Sequence, residues 1–114
     1  TRMKLGQIAK ACHAAHNQIC KEFGQPIIPW KSKSPEHHKT VKNSVKKILD
    51  GIIKSPEEAH MNFVFKKRAD GWTYGPEYST ANKTNPRLCD FDQLPKAERL
   101  KEEMFFAVAS SFKD

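Results

Sequence analysis

The sequence has no apolar run approaching the roughly 18 residues that a bilayer span requires, and no apolar stretch near its beginning of the kind that opens a secretory leader. Membrane insertion and export by that route are not expected, and a cytoplasmic protein is. Cysteine is scarce and odd in number: Cys12, Cys20 and Cys89 include no CxxC pair, which suits reduced core thiols better than a disulfide framework. There is no Walker A loop, no dinucleotide-binding glycine fingerprint, no nucleophile elbow and no HExxH. Internal repeats and low-complexity tracts are also missing. The usual signatures of nucleotide hydrolysis, hydride transfer and acyl transfer are thus absent, which weighs against an enzyme. No catalytic residue, metal or cofactor is expected.

What is present is an ordinary globular mixture, 38% hydrophobic and 29% charged over 114 residues, enough for one core and too little for two. The charge is uneven. Residues 1–54 carry 11 Lys/Arg against 3 Asp/Glu, and residues 55–114 carry 9 against 10, so the net +7 lies in the front half. Such a field favours anionic partners, whether nucleotides, nucleic acid or an acidic protein, and does not choose among them.

Hydrophobic spacing predicts four helices. The first runs from about Gln7 to Phe23, with Ile8, Cys12, Ala15, Ile19 and Phe23 on one face and Gly24 as its stop. The prolines of Gln25-Pro26-Ile27-Ile28-Pro29-Trp30 impose an extended connector. Ser34-Pro35-Glu36 opens the second helix, whose inward stripe is Val41, Val45, Ile48, Leu49 and Ile52. Ser55 with Glu58 forms a capping box for the third, which reaches about Asp70 and ends at Gly71. Between Trp72 and Phe91, Gly75-Pro76 and Asn85-Pro86 punctuate a polar stretch that predicts a loop or a short β-ribbon. A last helix from Pro95 to about Phe112 presents Leu100, Met104, Ala107, Val108 and Phe112 inward, with Lys96, Glu98, Arg99, Lys101 and Glu102 mostly outward. Residues 1–6 read as an N-terminal tail, Thr1-Arg2 before Met3 as an added remnant, and residues 7–114 as a single domain.

Candidate chemistry concentrates in two places. His13 and His16 stand three apart on the first helix, with His37-His38 further on, but no third ligand or second-shell carboxylate completes a zinc site. The plain expectation is one histidine at the helix surface and one partly buried. Pairing Cys12 with His13, or Cys20 with His16, fails as a nucleophile because adjacent helix positions diverge and an apolar stripe leaves the thiol inert. On the third helix, His60, Phe63 and Lys67 share one face. Lys66, Trp72, Tyr74 and Arg87 adjoin them in sequence, so flat rings for stacking a base accompany cations for phosphate or ribose oxygens. Spacing alone equally allows Phe63 and Trp72 in the core and the cations on a solvated face.

The run His60-x-x-Phe63, Lys67, Gly71-Trp72-Thr73-Tyr74-Gly75-Pro76, Asn85-Pro86-Arg87-Leu88, Phe91 and Gln93-Leu94-Pro95-x-x-Glu98-Arg99 resembles the repeat of ryanodine receptors. Ile8-Ala9-Lys10-Ala11-Cys12-His13 with Pro29-Trp30 is similar to the front helix of free-standing microbial and phage members, so the likeness spans roughly 7–110. It implies a mainly helical α+β fold, helices around a small antiparallel ribbon. It also implies an adenine-nucleotide pocket in which the aromatic at Phe63 stacks on the base and Lys67 and Arg87 stand nearby. Where the family commonly carries tryptophan this chain has Phe63, a smaller stacking surface. Because receptor repeats occur in pairs, the resemblance further implies a homodimer or higher even oligomer. The expected function is non-enzymatic binding of a nucleotide-derived signal, an adenine nucleotide, cyclic nucleotide or ADP-ribose-like molecule, by a sensor or phage sponge in a bacterial cytoplasm. The alternatives are a nucleic-acid-binding accessory protein using Lys31, Lys33, Lys39, Lys42, Lys46 and Lys47, and a structural or protein-interaction domain.

Overall fold

The computed structural model describes residues 3–113, so Thr1 and Arg2, whose reading as an added remnant is an expectation only, lie outside the described residues. Four helices are present, α1 (Leu5–Glu22), α2 (Pro35–Leu49), α3 (Pro56–Ala69) and α4 (Lys96–Ser111), with single 3-10 turns at Trp30–Ser32 and Phe91–Gln93. Helix α1 starts two residues before Gln7 because the Gln7 side chain folds back and accepts the Lys4 backbone N–H at 3.1 Å. Its end at Gly24, like that of α3 at Gly71, is a left-handed turn at φ +68° and +88° that costs other residues more than glycine.

Capping follows the local chemistry. The Ser34 hydroxyl accepts the His37 N–H at 3.1 Å, and Ser55 accepts the Glu58 N–H at 3.1 Å. The return arm of the second cap reaches one residue further than expected, with the Glu58 carboxylate accepting from Lys54 N–H at 2.8 Å. Between α1 and α2 the connector is tied to α1 through the Ile28 carbonyl, which accepts from His13 Nε2 at 2.6 Å and Asn17 Nδ2 at 3.0 Å.

Ile8, Ala9 and Cys12 of α1, Val45 and Ile48 of α2, Ile53 and Ala109 of α4 form the core, with Phe105, Phe106, Val108 and Phe112 packed against it. Helix α4 lies chiefly on α1, while α2 and α3 each lean on α4 and scarcely touch one another. Three expectations are corrected. Met104 and Ala107 face solvent, because Phe105 and Phe106 bury larger rings and turn α4 by about one residue; that turn carries Lys101 and Glu102 inward. Ile52 lies beyond α2 and is 65% exposed, and Phe23 is also exposed.

Of the two alternatives for the 72–91 segment the loop is the one that forms: no β-strand is present among the described residues, only isolated bridges pairing Thr84 with Ser79 and with Thr73. Prolines 76 and 86 donate no ladder hydrogen bond, and a turn around Lys83, at φ 54°, intervenes. Gly75 lies so close to Thr84 that a Cβ there would meet the threonine Cβ at 2.6 Å. The fold is mainly helical, with a tied loop where the family resemblance implies a ribbon.

Replacing Ile48 with Ala should cost about 2–5 kcal/mol of unfolding free energy in urea titrations. The same change at Ile52, equally apolar and in the predicted stripe, should stay within about 0.5 kcal/mol.

Candidate ligand-binding cleft

Because α2 and α3 diverge, a cavity of about 590 Å³ opens between them and is lined by residues of all four helices. That volume lies within the ~300–1,000 Å³ usual for small-molecule sites. Helix α3 contributes Phe63, Lys66 and Lys67, and the loop contributes Arg87.

Arg87 is placed by its neighbours in sequence. Leu88 is buried and Asn85 is buried too, its Oδ1 accepting the Arg87 N–H at 2.9 Å. The guanidinium then lies over the Phe63 ring, 4.4 Å from its centroid, and donates from Nη2 to Glu102 Oε1 at 2.8 Å. The same Glu102 oxygen accepts from His60 Nδ1 at 3.1 Å. His60 is fully buried beneath the cleft, and its Nε2 faces the Cys89 carbonyl at 2.7 Å. With acceptors at both ring nitrogens, only the imidazolium satisfies both. Burial opposes that charge, but the Glu102 and Cys89 hydrogen bonds and the Glu102 charge outweigh it, and His60 titrates above the usual histidine range. For Glu102, burial acts upward and is overcome by the His60 hydrogen bond and Arg87, so its carboxyl titrates below the usual range.

Of the seven residues expected to bind ligand, Phe63, Lys66, Lys67 and Arg87 line the cleft. His60, Trp72 and Tyr74 do not. His60 acts from below, through Glu102. Trp72 packs against Tyr78, tilted by 32° at 5.6 Å between centroids, with the Lys67 ammonium 5.0 Å from its ring centroid, and Tyr74 is 59% exposed outside the cleft. Glu102, expected to face water, is only 10% exposed at its side chain. Ala97, Lys101, Phe105, Val108 and Phe112 form one of the two overlapping stripes that α4 offers, and the one the fold uses places the 101–102 pair on the inward side.

The cleft is cationic. Arg87 is paired with Glu102, and Lys101 with Glu98 at 3.0 Å. Lys33, Lys66 and Lys67 have no carboxylate partner among the described residues. Lys66 titrates below the usual lysine range because Lys47 stands within hydrogen-bonding reach, with burial and the Lys47 charge adding to the effect. No group of three His, Cys, Asp or Glu among the described residues is placed to hold a metal.

His13 and His16, expected as one surface and one partly buried ring, are buried and half-buried respectively. Both line the cleft with His37. Burial, then Lys101, His13 and Lys33, push His16 down to about 4 against the opposing pull of Glu98. Among the thiols, Cys12 and Cys20 are buried and Cys89 is half-buried, all free. Burial pushes Cys12 up to about 12, a thiol with no nucleophilic character at neutral pH.

Fold and cleft together define a small helical domain built around a positively charged, aromatic-edged cavity. The RyR domain model matches residues 34–105, more than half of the chain, and the chain belongs to this family. No curated protein and no solved structure matches it. Helix α1 and Lys33 precede the matched segment. No helix among the described residues is long and apolar enough to cross a membrane.

Acidification should weaken the fold through His16. Between pH about 6.5 and about 4 the unfolded chain binds more protons there than the native one, so stability falls as pH falls. His60 shifts the other way; its contribution is complete below the ordinary histidine value and lost only at higher pH. The unfolding temperature should therefore drop across this window, and His16→Gln should flatten the drop, as read by circular dichroism.

Proposed function

We propose that this RyR domain binds a nucleotide-derived small molecule and does not transform it chemically. The observation that carries the reading is the Phe63 ring with the Arg87 guanidinium 4.4 Å above it, at a cavity whose lysines 33, 66 and 67 lack acidic partners. A guanidinium held over the ring by Glu102 offers its own plane for a base to stack on, and base stacking of this kind contributes roughly 1–3 kcal/mol. Unneutralised ammonium groups in a partly enclosed cleft attract phosphate more strongly than the same groups in open water.

Adenine nucleotides, cyclic nucleotides and ADP-ribose-like molecules are the ligand class, and sensing or sequestering such a signal in a microbial or phage setting is the role we assign. Self-pairing is part of the same reading, after the paired repeats of the receptors. The exposed side chains Ile52, Met61 and Phe65, together on one shallow groove, offer apolar surface for it. One observation favours nucleic acid instead: Lys31, Lys39, Lys42 and Lys46 are exposed. Lys46, however, is engaged by Asp50 at 2.7 Å.

Calorimetry with AMP, cyclic AMP and ADP-ribose should detect binding that Phe63→Ala weakens about 5- to 150-fold and Phe63→Trp strengthens. Absence of binding by all of them, with retention on DNA at physiological salt, selects the nucleic-acid reading. Light scattering during size-exclusion chromatography should return an even multiple of the chain mass; a strict monomer that still binds nucleotide removes the pairing.

A further inference from the structure

The five histidines divide into two kinds. His13, His38 and His60 each place a ring nitrogen on a backbone carbonyl, of Ile28, Trp30 and Cys89 respectively. Those three hold the fold: His13 and Asn17 pin the connector, His38 stacks on Trp30 at 4.0 Å between centroids, and His60 ties α3 to the loop. His16 and His37 differ. Their ring nitrogens have no hydrogen-bond partner among the described residues, and both side chains line the cleft. They come from different helices and converge around His13, which lies 5.7 Å from His16 and 6.4 Å from His37 between ring centroids.

The company these rings keep indicates what they could hold. His16 is faced by His13 from its own helix, Lys33 from the connector, and Lys101 and Glu98 from α4. His37 is faced by Lys33, His13 and His38. The one carboxylate in the set, Glu98, is engaged by Lys101 at 3.0 Å. A metal ion would meet two ammonium groups and no free carboxylate, so the donor set repels cations. An anion meets Lys33 and two imidazoles that become stronger donors once protonated; Glu36 in the first turn of α2 is exposed and does not line the cleft.

We infer that the α1–α2 side of the cleft is a second anion subsite, where His16, His37 and Lys33 hold a phosphoryl group and the imidazoles take up a proton from solvent as it binds. The subsite deepens the nucleotide reading and rests on it for the remainder of the ligand, which then carries a second phosphoryl group, as in a diphosphate-bearing nucleotide. Without an anion, burial and the surrounding cations keep both rings neutral at physiological pH. A bound phosphoryl group reverses that balance, because an opposite charge within a few ångströms favours the protonated ring. Binding at this end therefore strengthens as pH falls. Since α1 and Lys33 lie outside the segment that the RyR domain match covers, this half of the cleft is supplied by the N-terminal part of the chain.

The test follows the ring Cε1–H signals of all five histidines by NMR across a pH series, with and without inorganic pyrophosphate, and titrates AMP separately by calorimetry. Pyrophosphate should raise the His16 and His37 midpoints by a unit or more, equivalent to at least about tenfold tighter binding at low than at high pH, and leave His38 unmoved. The double variant His16→Gln, His37→Gln, checked for native circular dichroism, should lose the pH dependence of pyrophosphate binding while still binding AMP. If pyrophosphate leaves both midpoints in place, or the double variant keeps the pH dependence, the subsite is overturned whatever AMP does. If pyrophosphate shifts the midpoints and no nucleotide binds, the subsite stands and the nucleotide reading fails.

Discussion

A single carboxylate, that of Glu102, holds three parts of the chain in register. One of its oxygens receives His60 from α3 and Arg87 from the loop, and His60 passes the connection on to the Cys89 carbonyl. A charged group this buried is tolerable only when its partners are close and themselves satisfied. Here the requirement is mutual. Without Glu102 the imidazolium and guanidinium would repel each other in the same space, and without them the carboxylate would be stranded. The planar guanidinium over Phe63 is thus a consequence of packing that extends down into the interior.

That arrangement also explains why the cleft is positive although the back half of the chain is nearly neutral. Two of the three acidic side chains that line the cleft are taken up by its cations, Glu102 by Arg87 and Glu98 by Lys101, and Asp70 is outnumbered by the lysines around it. Lys33 of the connector and Lys66 and Lys67 of α3 are left over. Net charge located the excess in the front half; the fold decides which of those charges point into a cavity and which, like Lys39 and Lys42, stay in water.

Local chemistry was readable in the amino-acid order. Ser34, Ser55, Gly24 and Gly71 end or start helices for reasons contained within four residues of each, and those elements stand where spacing puts them, to within two residues. The rotation of α4 was not readable, because Leu100, Met104, Phe105 and Phe106 offer two overlapping apolar stripes and only the partners on α1 choose between them. The burial of Glu102 shares that origin, its histidine partner lying 42 residues away in sequence. In the 72–91 segment, glycine and proline punctuation left loop and ribbon both open, and the aromatics suggested a shared site. Two prolines broke the ladder, and Trp72 and Tyr74 were left outside the cavity that Phe63 enters. Histidines 16 and 37 were legible only as a question about metals, since nothing in their spacing reveals which ring nitrogens lack partners.

Helices α2 and α3 rest on the same neighbour and barely on each other. Opposing jaws mounted this way have no shared surface to peel apart, so the width of the gap is governed by how far α2 slides over α1 and α4. Small shear displacements of packed helices are an inexpensive kind of protein motion. The jaw that carries the ring, with Lys66 and Lys67, is thus the one fixed through the Glu102 tether, and α2 is the one placed to shear.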